Sequence, residues 1–499
     1  MSRICALALA LALLASVAAA EVTPSDWLNH AEHDLAGFWM RDELAGSPVG
    51  SFPTFICADG TPLALAAPCP AFKDAPDWIN KELGRQYIRM VSRQVYTYGV
   101  IYHLTGNETA LARARAGTRF IMEKAWDRES GSVATWLIDG NAAPKPGART
   151  TQSLAYALLG PSFYYYLTRD PETLAYITSV RRHIFESYWS DEWKMLRWTN
   201  EDEGEDTSDR RELVSQLDQI NAYMLLMLPL LDDAERAAWD ADARRLVASM
   251  LRDFHDPNRK RFYGYIHDAK GKTWGERHND FGHTTKAYWM LLLAGERLGE
   301  QSWVSTARAG IDDCLKSAFV RRNVRNAPEW QAPVMRRAAD RKGNYHVWAN
   351  KPDGIGIAWW EWCELDQAAA TMSLSDAKYG KYLDATYPAY FATLVDPVYG
   401  ATYSFPGAVD SAKGHQWQNG YHAAEHALVG YITTSMRRGE PFRLWFAFAD
   451  SATPPIAPAY YFDAKETGRR AMESMEGGVR KVRVTYGKGE RREAIGERR

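Results

Sequence analysis

The sequence has almost no net charge, few cysteines and, after its first residues, no long apolar run. Its 60 basic and 62 acidic residues leave a formal charge of -2, so no general electrostatic field attracts it to nucleic acid or to an anionic membrane. None of its five cysteines forms a CxxC pair of the kind that binds zinc or exchanges disulfides. After residue 20 no segment is apolar over the roughly 20 residues that a bilayer requires. These absences argue against nucleic-acid binding, a cysteine-based metal or redox centre, and membrane insertion.

Residues 1–20 have the composition of a secretory signal peptide. Arg3 precedes an Ala- and Leu-rich run that is too short to span a bilayer, and residues 18–20 are all alanine. We predict cleavage after Ala20 and a soluble protein that is periplasmic or secreted. In that oxidising compartment Cys57 and Cys69 flank a loop rich in Pro, Ala and Gly and can close a disulfide, which spacing alone does not decide.

Amphipathic helical patterns fill most of the chain and are joined in pairs by short turn signals such as Gly106-Asn107 and Gly299-Glu300. The stretches between pairs are poor in strand signals, and they carry aspartates about 65 to 70 residues apart or twice that, at Asp127, Asp191, Asp256 and Asp396. The hairpin is therefore a repeat unit. The patterns predict twelve helices at about 27–44, 82–105, 109–125, 149–168, 171–187, 211–231, 233–253, 279–299, 301–317, 355–374, 377–394 and 418–438.

Six hairpins of this length favour a closed all-α (α/α)6 barrel, because open solenoids repeat over shorter units of roughly 34 to 47 residues. We assign the barrel to residues 21–450 and a short irregular or β-like extension to residues 451–499. Within the extension, residues 479–486 alternate like an edge strand, and the charged tail after them is predicted to be disordered.

Two histidines stand at the starts of predicted helices. Gly282-His283 precedes a Leu-rich face, and Tyr421-His422 opens the last long helix. Histidine titrates near neutral pH, which suits a base that moves the proton next to the carbonyl of an open-chain sugar. Two bases on opposite faces give epimerisation, whereas one base on one face gives aldose–ketose isomerisation. Neither reaction requires a cofactor. Trp360, Trp417 and Tyr421 lie beside these residues and are expected to face the funnel.

Several short motifs between about residues 80 and 450 resemble the N-acylglucosamine 2-epimerase superfamily, which includes cellobiose 2-epimerases and aldose–ketose isomerases on an (α/α)6 barrel. Gly282-His283-x-x-Lys286-Ala287-x-Trp289 resembles the family's Gly-His-x-x-Glu-x-x-Trp helix. The other similar motifs are the Arg93-containing first inner helix, the Trp-rich segment 359–364 and Tyr421-His422. The resemblance implies that His283 and His422 are the acid/base pair, that Glu364 orients one of them and that Arg93 binds sugar hydroxyls.

The sequence departs from the family pattern at three places. Lys286 stands where the family has Glu, and Glu425 stands where it commonly has Arg. These changes have opposite sign and compensate each other if the side chains meet. The third place is the segment 216–222, where Gln-x-Asp-x-x-Asn-Ala replaces His-x-His-x-x-Glu-Ala and puts Asp218 at the second histidine position. We include Asp218 and Lys286 among the expected substrate-binding residues.

Two alternative functions remain open, and one metal-binding motif has to be considered. Leu-Asp-Gln recurs at Asp218 and Asp366, so two carboxyl groups facing each other could serve a glycoside hydrolase or a polysaccharide lyase. A non-catalytic sugar-binding protein would keep the funnel without the chemistry. The segment 422–426 matches the H-x-x-E-H zinc pattern, but no further convincing ligand follows it, and we predict no metal. The expected partner is a mono- or oligosaccharide, and the expected assembly is a monomer or homodimer.

Overall fold

Two concentric rings of helices form the body of the chain in a computed structural model. The structure describes residues 21–73, 75–142, 149–200, 210–266, 279–352, 354, 356–449 and 455–487. Each inner helix packs against the next, and the last packs against the first, so the ring closes. The six inner helices in these ranges are Ile88–Thr105, Thr151–Thr168, Leu213–Gln219 with its continuation to Met227, Phe281–Leu298, Trp359–Ser373 and Tyr421–Arg438.

The outer ring supplies one partner to each inner helix. Five partners follow their inner helix directly in sequence, and the sixth is the first helical segment of the chain, which packs against Tyr421–Arg438. The prediction of twelve helices in an (α/α)6 barrel is thus confirmed. The outer helices are Glu108–Lys124, Pro171–Ser187, Asp233–Ser249, Gln301–Ala318, Gly380–Thr393 and the N-terminal segment Pro24–Asn29, which continues through His30–Leu35 into Ala36–Trp39.

Local sequence explains where these helices begin and end. Gly106 and Gly299 end inner helices at φ +73°, a left-handed conformation that favours glycine. Asn107 then opens the next helix, because its side chain accepts a hydrogen bond from the N–H of Ala110. Every residue of Thr151–Thr168 is buried, as expected of a helix that is covered on all sides.

Shorter helical pieces complete the helical structure. The inner segment that starts at Leu213 passes through a π-helical turn, Ile220–Met224, into Leu225–Met227, and a second π-helical turn, Met250–Phe254, extends an outer helix. The remaining short helices are Pro70–Lys73, Asp77–Asn80 and Ala332–Met335, and the 3-10 turns are Asp42–Leu44, Leu228–Leu230, Val324–Asn326, Arg336–Ala338 and Ala377–Tyr379.

The stretches between hairpins contain small antiparallel strand pairs, so they hold more β-structure than the sequence predicted. Side chains of Asp127, Asp256 and Asp396 accept hydrogen bonds from backbone N–H groups two and three residues further on. Three of the four repeated aspartates are therefore turn residues. The strand pairs are Trp189–Ser190 with Met195–Leu196, His255–Asp256 with Arg261–Phe262, Arg211–Glu212 with Tyr265–Ile266, Phe319–Asn323 with Asn344–Trp348, and Trp136–Ile138 with both Gln86–Tyr87 and Asn141–Ala142.

A three-stranded antiparallel sheet follows the last inner helix. Its strands are Phe442–Ala449, Lys465–Met475 and Val479–Gly487, and the last of these lies in the middle. The prediction of an edge strand over residues 479–486 is therefore wrong. The apolar strand Phe442–Ala449 pairs with the side of Val479–Gly487 that does not face Lys465–Met475. Phe442–Ala449 also packs on the barrel, where Tyr102 Oη donates to the carbonyl of Phe446 at 2.6 Å. The tail predicted to be disordered lies outside the described residues.

Cys57 and Cys69 form a disulfide bond, with 6.3 Å between their Cα atoms, as the sequence allowed. Cys314 and Cys363 are buried free thiols. Across the part of the chain that the structure describes, no helix combines the length and apolar character needed to cross a membrane. The predicted signal peptide lies outside this part.

Candidate active site

A cavity of about 330 Å³ opens at the end of the barrel where the inner helices begin. Seven of the nine residues predicted from the sequence line it, and two lie behind its wall. The seven are Arg93, Asp218, His283, Lys286, Trp360, Trp417 and His422. The structure thus brings side chains from five inner helices and one loop to a single site.

His283 lies in the first turn of Phe281–Leu298, three residues after the N-cap residue Asp280. One carboxylate oxygen of Asp280 accepts the backbone N–H of His283 at 2.7 Å, and the other lies 2.8 Å from Nδ1 of the ring. A carboxylate accepts at this distance, so Nδ1 carries the proton and Nε2 is left to accept one. Asp280 thus has the orienting role at His283 that the sequence did not assign.

His422 lies in the first turn of Tyr421–Arg438, and its Nδ1 is 3.5 Å from Oε1 of Glu364. Burial raises the pKa of Glu364 to about 8, although Lys286 opposes the rise. Burial, followed by Arg93 and Lys286, holds the pKa of His422 well below its usual value. The two groups therefore face each other as neutral side chains rather than as an ion pair.

Lys286 and Asp218 form a buried ion pair in the cavity wall, with 3.0 Å between Nζ and Oδ1. Burial alone would lower the pKa of Lys286, but Asp218 and Tyr156 raise it above its ordinary value. Burial would likewise raise the pKa of Asp218, but Lys286 and Gln152 lower it. Both side chains are therefore charged at neutral pH.

Lys286 and Glu425, whose charge changes have opposite sign, form no ion pair with each other in the described part of the chain. Among the described residues the ion-pair partner of Lys286 is Asp218, whereas Glu425 accepts a hydrogen bond from the Tyr460 hydroxyl at 2.7 Å. The physical reason is reach, because Asp218 lies on the neighbouring inner helix and its carboxylate faces Lys286.

Of the three changed positions in segment 216–222, only Asp218 lines the cavity. Gln216 makes hydrogen bonds to both the N–H and the carbonyl of Leu196, at 2.9 and 2.8 Å. Asn221 donates to the Tyr421 hydroxyl at 3.3 Å. Gln216 and Asn221 are therefore hydrogen-bonded behind the cavity wall and do not contact the cavity.

Arg93 reaches the cavity from the inner helix Ile88–Thr105. Its guanidinium lies 4.1 Å from the ring centre of Tyr156, and Nη1 donates to the backbone carbonyl of Trp417 at 2.8 Å. The residue is 4% exposed. Stacking on Tyr156 and one hydrogen bond to the backbone hold its guanidinium in place. A held cation at the cavity wall can stabilise a sugar oxygen that gains negative charge.

Trp360 lies between the two histidines. Its ring centre is 4.5 Å from that of His283 and 6.0 Å from that of His422. Gly282 makes this approach possible, since a Cβ there would come within 2.8 Å of Glu361 Cγ and 2.9 Å of Trp360 Cζ3. The glycine before His283 is therefore required by the packing of Trp360, a natural platform for a sugar ring.

Tyr421 does not face the cavity as predicted. It is 1% exposed and its ring packs against Tyr96 and His422, with ring centres 5.0 and 4.5 Å apart. The reason is helix geometry, because the adjacent residue His422 occupies the inward direction at this turn. Glu364, on its own helix, is likewise fully buried behind the wall.

The carboxylate pair of the hydrolase alternative is not assembled. Asp366 is fully buried away from the cavity, where its Oδ1 accepts from Trp348 Nε1 at 2.9 Å and from Thr386 Oγ1 at 2.5 Å. His426 Nε2 lies 3.1 Å from the other oxygen. Asp366 therefore ties an inner helix to its outer partner, whereas Asp218 lines the cavity.

The H-x-x-E-H zinc pattern is also divided between two environments. His426 belongs to the buried contact with Asp366. In the described ranges the group of three side chains close enough to share a cation is Glu364, His422 and Glu425, whose nearest ligand atoms lie within 4.8 Å of one another. His426 is outside this group, so the pattern does not form a metal site.

Several wall residues escaped prediction. Burial raises the pKa of Glu212 to about 7, against the effect of Arg210, which makes it a titratable group in the cavity. It lies just before the inner helix Leu213–Gln219 and belongs to none of the motifs that the sequence analysis singled out. The other wall residues that the sequence did not single out are Gln152, Tyr156, Trp198, Arg210 and Trp359.

Comparison with known sequences places this geometry in a family context. A sequence model of the N-acylglucosamine 2-epimerase (GlcNAc 2-epimerase) family matches residues 80–425. The chain is similar to a cellobiose 2-epimerase of Bacteroides fragilis, with 20% identity over 278 residues that make up 53% of this chain and 68% of the relative.

Solved structures share the fold at low identity. A cellobiose 2-epimerase from Bacillus thermoamylovorans has a TM-score of 0.63 and 15% identity, over 82% of this chain and 98% of that one. A D-mannose isomerase has a TM-score of 0.61 and 15% identity, over 82% and 97%. A family 76 glycoside hydrolase (mannosidase) from Bacteroides thetaiotaomicron has a TM-score of 0.55 and 13% identity, over 83% and 99%. At these identities the structural likeness concerns the fold alone.

Proposed function

Because the chain belongs to the N-acylglucosamine 2-epimerase family, we propose that it is an exported sugar epimerase or aldose–ketose isomerase. It moves the proton at C2, next to the carbonyl of an open-chain sugar. The observation that carries this proposal is the placement of His283 and His422 on either side of Trp360 in one cavity. The substrate is a free monosaccharide or the reducing end of an oligosaccharide.

The chemistry follows from the wall residues. A sugar ring stacks on Trp360, and its open-chain form places C2 between the two histidines. Nε2 of His283 is the nitrogen that can accept the proton, because Asp280 holds the proton at Nδ1. As the C2–H bond breaks, negative charge grows on the carbonyl oxygen, where Arg93 and Lys286 are two cations of the wall that can stabilise it.

Exchange of the C2 proton with solvent deuterium tests the proposal. Wild-type protein is incubated in ²H₂O with mannose, glucose, N-acetylated hexosamines and cellobiose, and C2 is followed by NMR. His283→Ala is expected to lower the exchange rate by about 10²- to 10⁴-fold, the typical contribution of a general acid or base, and His422→Ala is expected to lower it as well. Trp303→Phe, on an outer helix away from the cavity, is the control and is expected to exchange normally.

Two results would reject the proposal. Wild-type protein that exchanges no deuterium with any of these sugars but releases reducing ends from a polysaccharide is a hydrolase. Calorimetric binding of a sugar without exchange, unaffected by His283→Ala, identifies a sugar-binding protein.

Export is the second part of the proposal. The disulfide between Cys57 and Cys69 supports it, because such bonds persist in oxidising compartments and are rare in the cytosol. Mass spectrometry of the protein recovered from a host periplasm is expected to give Glu21 as the first residue. A full-length chain confined to the cytosol would contradict this assignment.

A further inference from the structure

The C-terminal segment reaches the site from the far end of the barrel. Tyr460 is fully buried and donates its hydroxyl to Oε1 of Glu425 at 2.7 Å. Tyr166 fixes the segment, because its hydroxyl donates to the carbonyl of Pro458 at 2.6 Å and accepts the N–H of Tyr460 at 3.1 Å. A residue outside the six hairpins therefore contacts the acidic group behind the cavity wall.

That acidic group is a cluster of Glu425, Glu364 and His422, whose nearest ligand atoms lie within 4.8 Å of one another. Glu425 has the Tyr460 hydroxyl as a donor, whereas in the described part of the chain no third group donates a hydrogen bond to either oxygen of Glu364 or to Nδ1 of His422, which face each other. Burial raises the pKa of both carboxyls, and the Tyr460 hydroxyl opposes this rise at Glu425, so the proton is more stable on Glu364, which has no hydroxyl donor among the described residues. The proton that the two carboxyls share therefore sits on Glu364.

A protonated Glu364 determines the tautomer of His422. Its O–H faces Nδ1 of His422 across 3.5 Å, so Nδ1 is the acceptor and the imidazole proton is on Nε2, toward the cavity. Asp280 has the opposite effect at His283, because it accepts from Nδ1–H and leaves Nε2 without a proton. The two histidines are thus prepared for different tasks.

We propose that Tyr460 and Glu425 are positioning residues that, through Glu364, make His422 a hydrogen-bond donor to the sugar and leave His283 as the single base. The inference rests on the proposed function and assigns it to aldose–ketose isomerisation. A neutral imidazole that polarises a carbonyl is an established device in sugar isomerisation.

The proton balance of the step is as follows. Nε2 of His283 takes the proton from C2, and the electron pair of that bond forms the C1–C2 double bond while O1 gains charge. Nε2–H of His422 stabilises O1 by donating a hydrogen bond to it, and the hydroxyl proton of O2 passes directly to the neighbouring O1 of the cis-enediolate, which leaves the carbonyl at C2. His283 then returns its proton to C1 on the same face, which gives the ketose. Both histidines end as they began.

Glutamine variants separate a base from a donor, because the glutamine amide donates an N–H but does not act as a base near neutral pH. With D-mannose in ²H₂O, wild-type protein is expected to form fructose before glucose. His283→Gln is expected to lower C2 exchange by about 10²- to 10⁴-fold. Loss of a hydrogen-bond donor typically lowers the rate by roughly 10²-fold. His422→Gln is expected to lower the rate of C2 exchange by less than this, and His422→Leu by at least this much.

The relay is tested by Tyr460→Phe, with Tyr461→Phe as the matched control. Tyr461 packs on Tyr460, with ring centres 3.9 Å apart, and its hydroxyl donates to the backbone carbonyl of Asn221 at 3.4 Å. Nitrogen-15 NMR of labelled histidine is expected to show the Nε2–H tautomer at His422 in the wild type and in Tyr461→Phe, but a shift away from it in Tyr460→Phe. In Tyr460→Phe we expect kcat to fall with little change in KM.

Each other outcome contradicts the inference. Equal losses in the two glutamine variants, or glucose formed as early as fructose, would make His422 a second base. Equal tautomer shifts in Tyr460→Phe and Tyr461→Phe would show that Tyr460 acts only through packing. Activity that is lost with a chelator and restored by Zn²⁺ would show that Glu364, His422 and Glu425 form a metal site. A wild-type protein without any C2 exchange would reject the proposed function instead, whereas the tautomer measurement needs no substrate and tests the relay by itself.

Discussion

The buried pair of Lys286 and Asp218 gives the sharpest stability prediction. Their side chains are 5% and 1% exposed, and 3.0 Å separates Nζ from Oδ1. Removal of one partner from such a pair leaves an uncompensated buried charge and typically costs about 3–5 kcal/mol. Lys286→Met belongs at the lower end of this range, because Gln152 and Tyr156 still donate to Asp218. Asp218→Asn belongs at the upper end, because Lys286 then faces only neutral groups at contact distance.

The free energy of unfolding of the double variant Lys286→Met/Asp218→Asn is expected to lie within about 2 kcal/mol of the wild-type value. Replacing both charges removes the desolvation cost together with the attraction. Urea unfolding at pH 7 measures all four proteins. The folded pKa of Asp218 is lowered and that of Lys286 is raised. The contribution of the pair is therefore constant between about pH 5 and 9, and is lost below the carboxyl titration and above the amine titration. A double variant whose cost equals the sum of the two single costs would refute the reasoning.

Three further predictions concern the surroundings of the site. Glu364 has a folded pKa raised by burial to about 8, so wild-type stability should fall by up to about 1.4 kcal/mol per unit as pH rises from 5 to 8. Glu364→Gln should flatten this slope in urea titrations, and an unchanged slope would contradict it. Gly282→Ala should displace Trp360, cost about 1–3 kcal/mol by overpacking and weaken sugar binding in calorimetry, whereas equal affinity would argue against the platform. Cys57→Ser should lower the free energy of unfolding by about 2–4 kcal/mol. Dithiothreitol should lower the free energy of unfolding of the wild type by the same amount and leave that of the variant unchanged.

The helices and the two histidines were predictable because they depend on signals that are local in sequence. Gly106 and Asn107 mark a helix end and start through their own backbone and side-chain preferences, and the same rule located the hairpins. Gly282 and His283 belong to a motif within one helical turn. Even the departures from the family pattern, Lys286 and Asp218, can be read from the amino-acid sequence alone.

Other predictions failed because they concerned contacts between distant segments. Residues 479–486 alternate as an edge strand does, yet Phe442–Ala449 pairs with their open side and makes them the centre of the sheet. Asp366 repeats the tripeptide context of Asp218, but it points to Trp348 and Thr386 instead of the cavity. A tripeptide sets neither the rotation of its helix in the ring nor the neighbours that the helix meets.

By itself the sequence determined the repeat of helical hairpins, the closed ring they imply and the residue types that suit proton transfer at a sugar. Only the tertiary structure decided which charges meet. It paired Lys286 with Asp218, set Asp280 against His283 and brought Tyr460 from beyond the barrel to Glu425. The physical reason is that helix periodicity and capping act within a few residues, whereas desolvation and hydrogen bonding depend on whatever lies within a few ångströms, however distant it is along the chain.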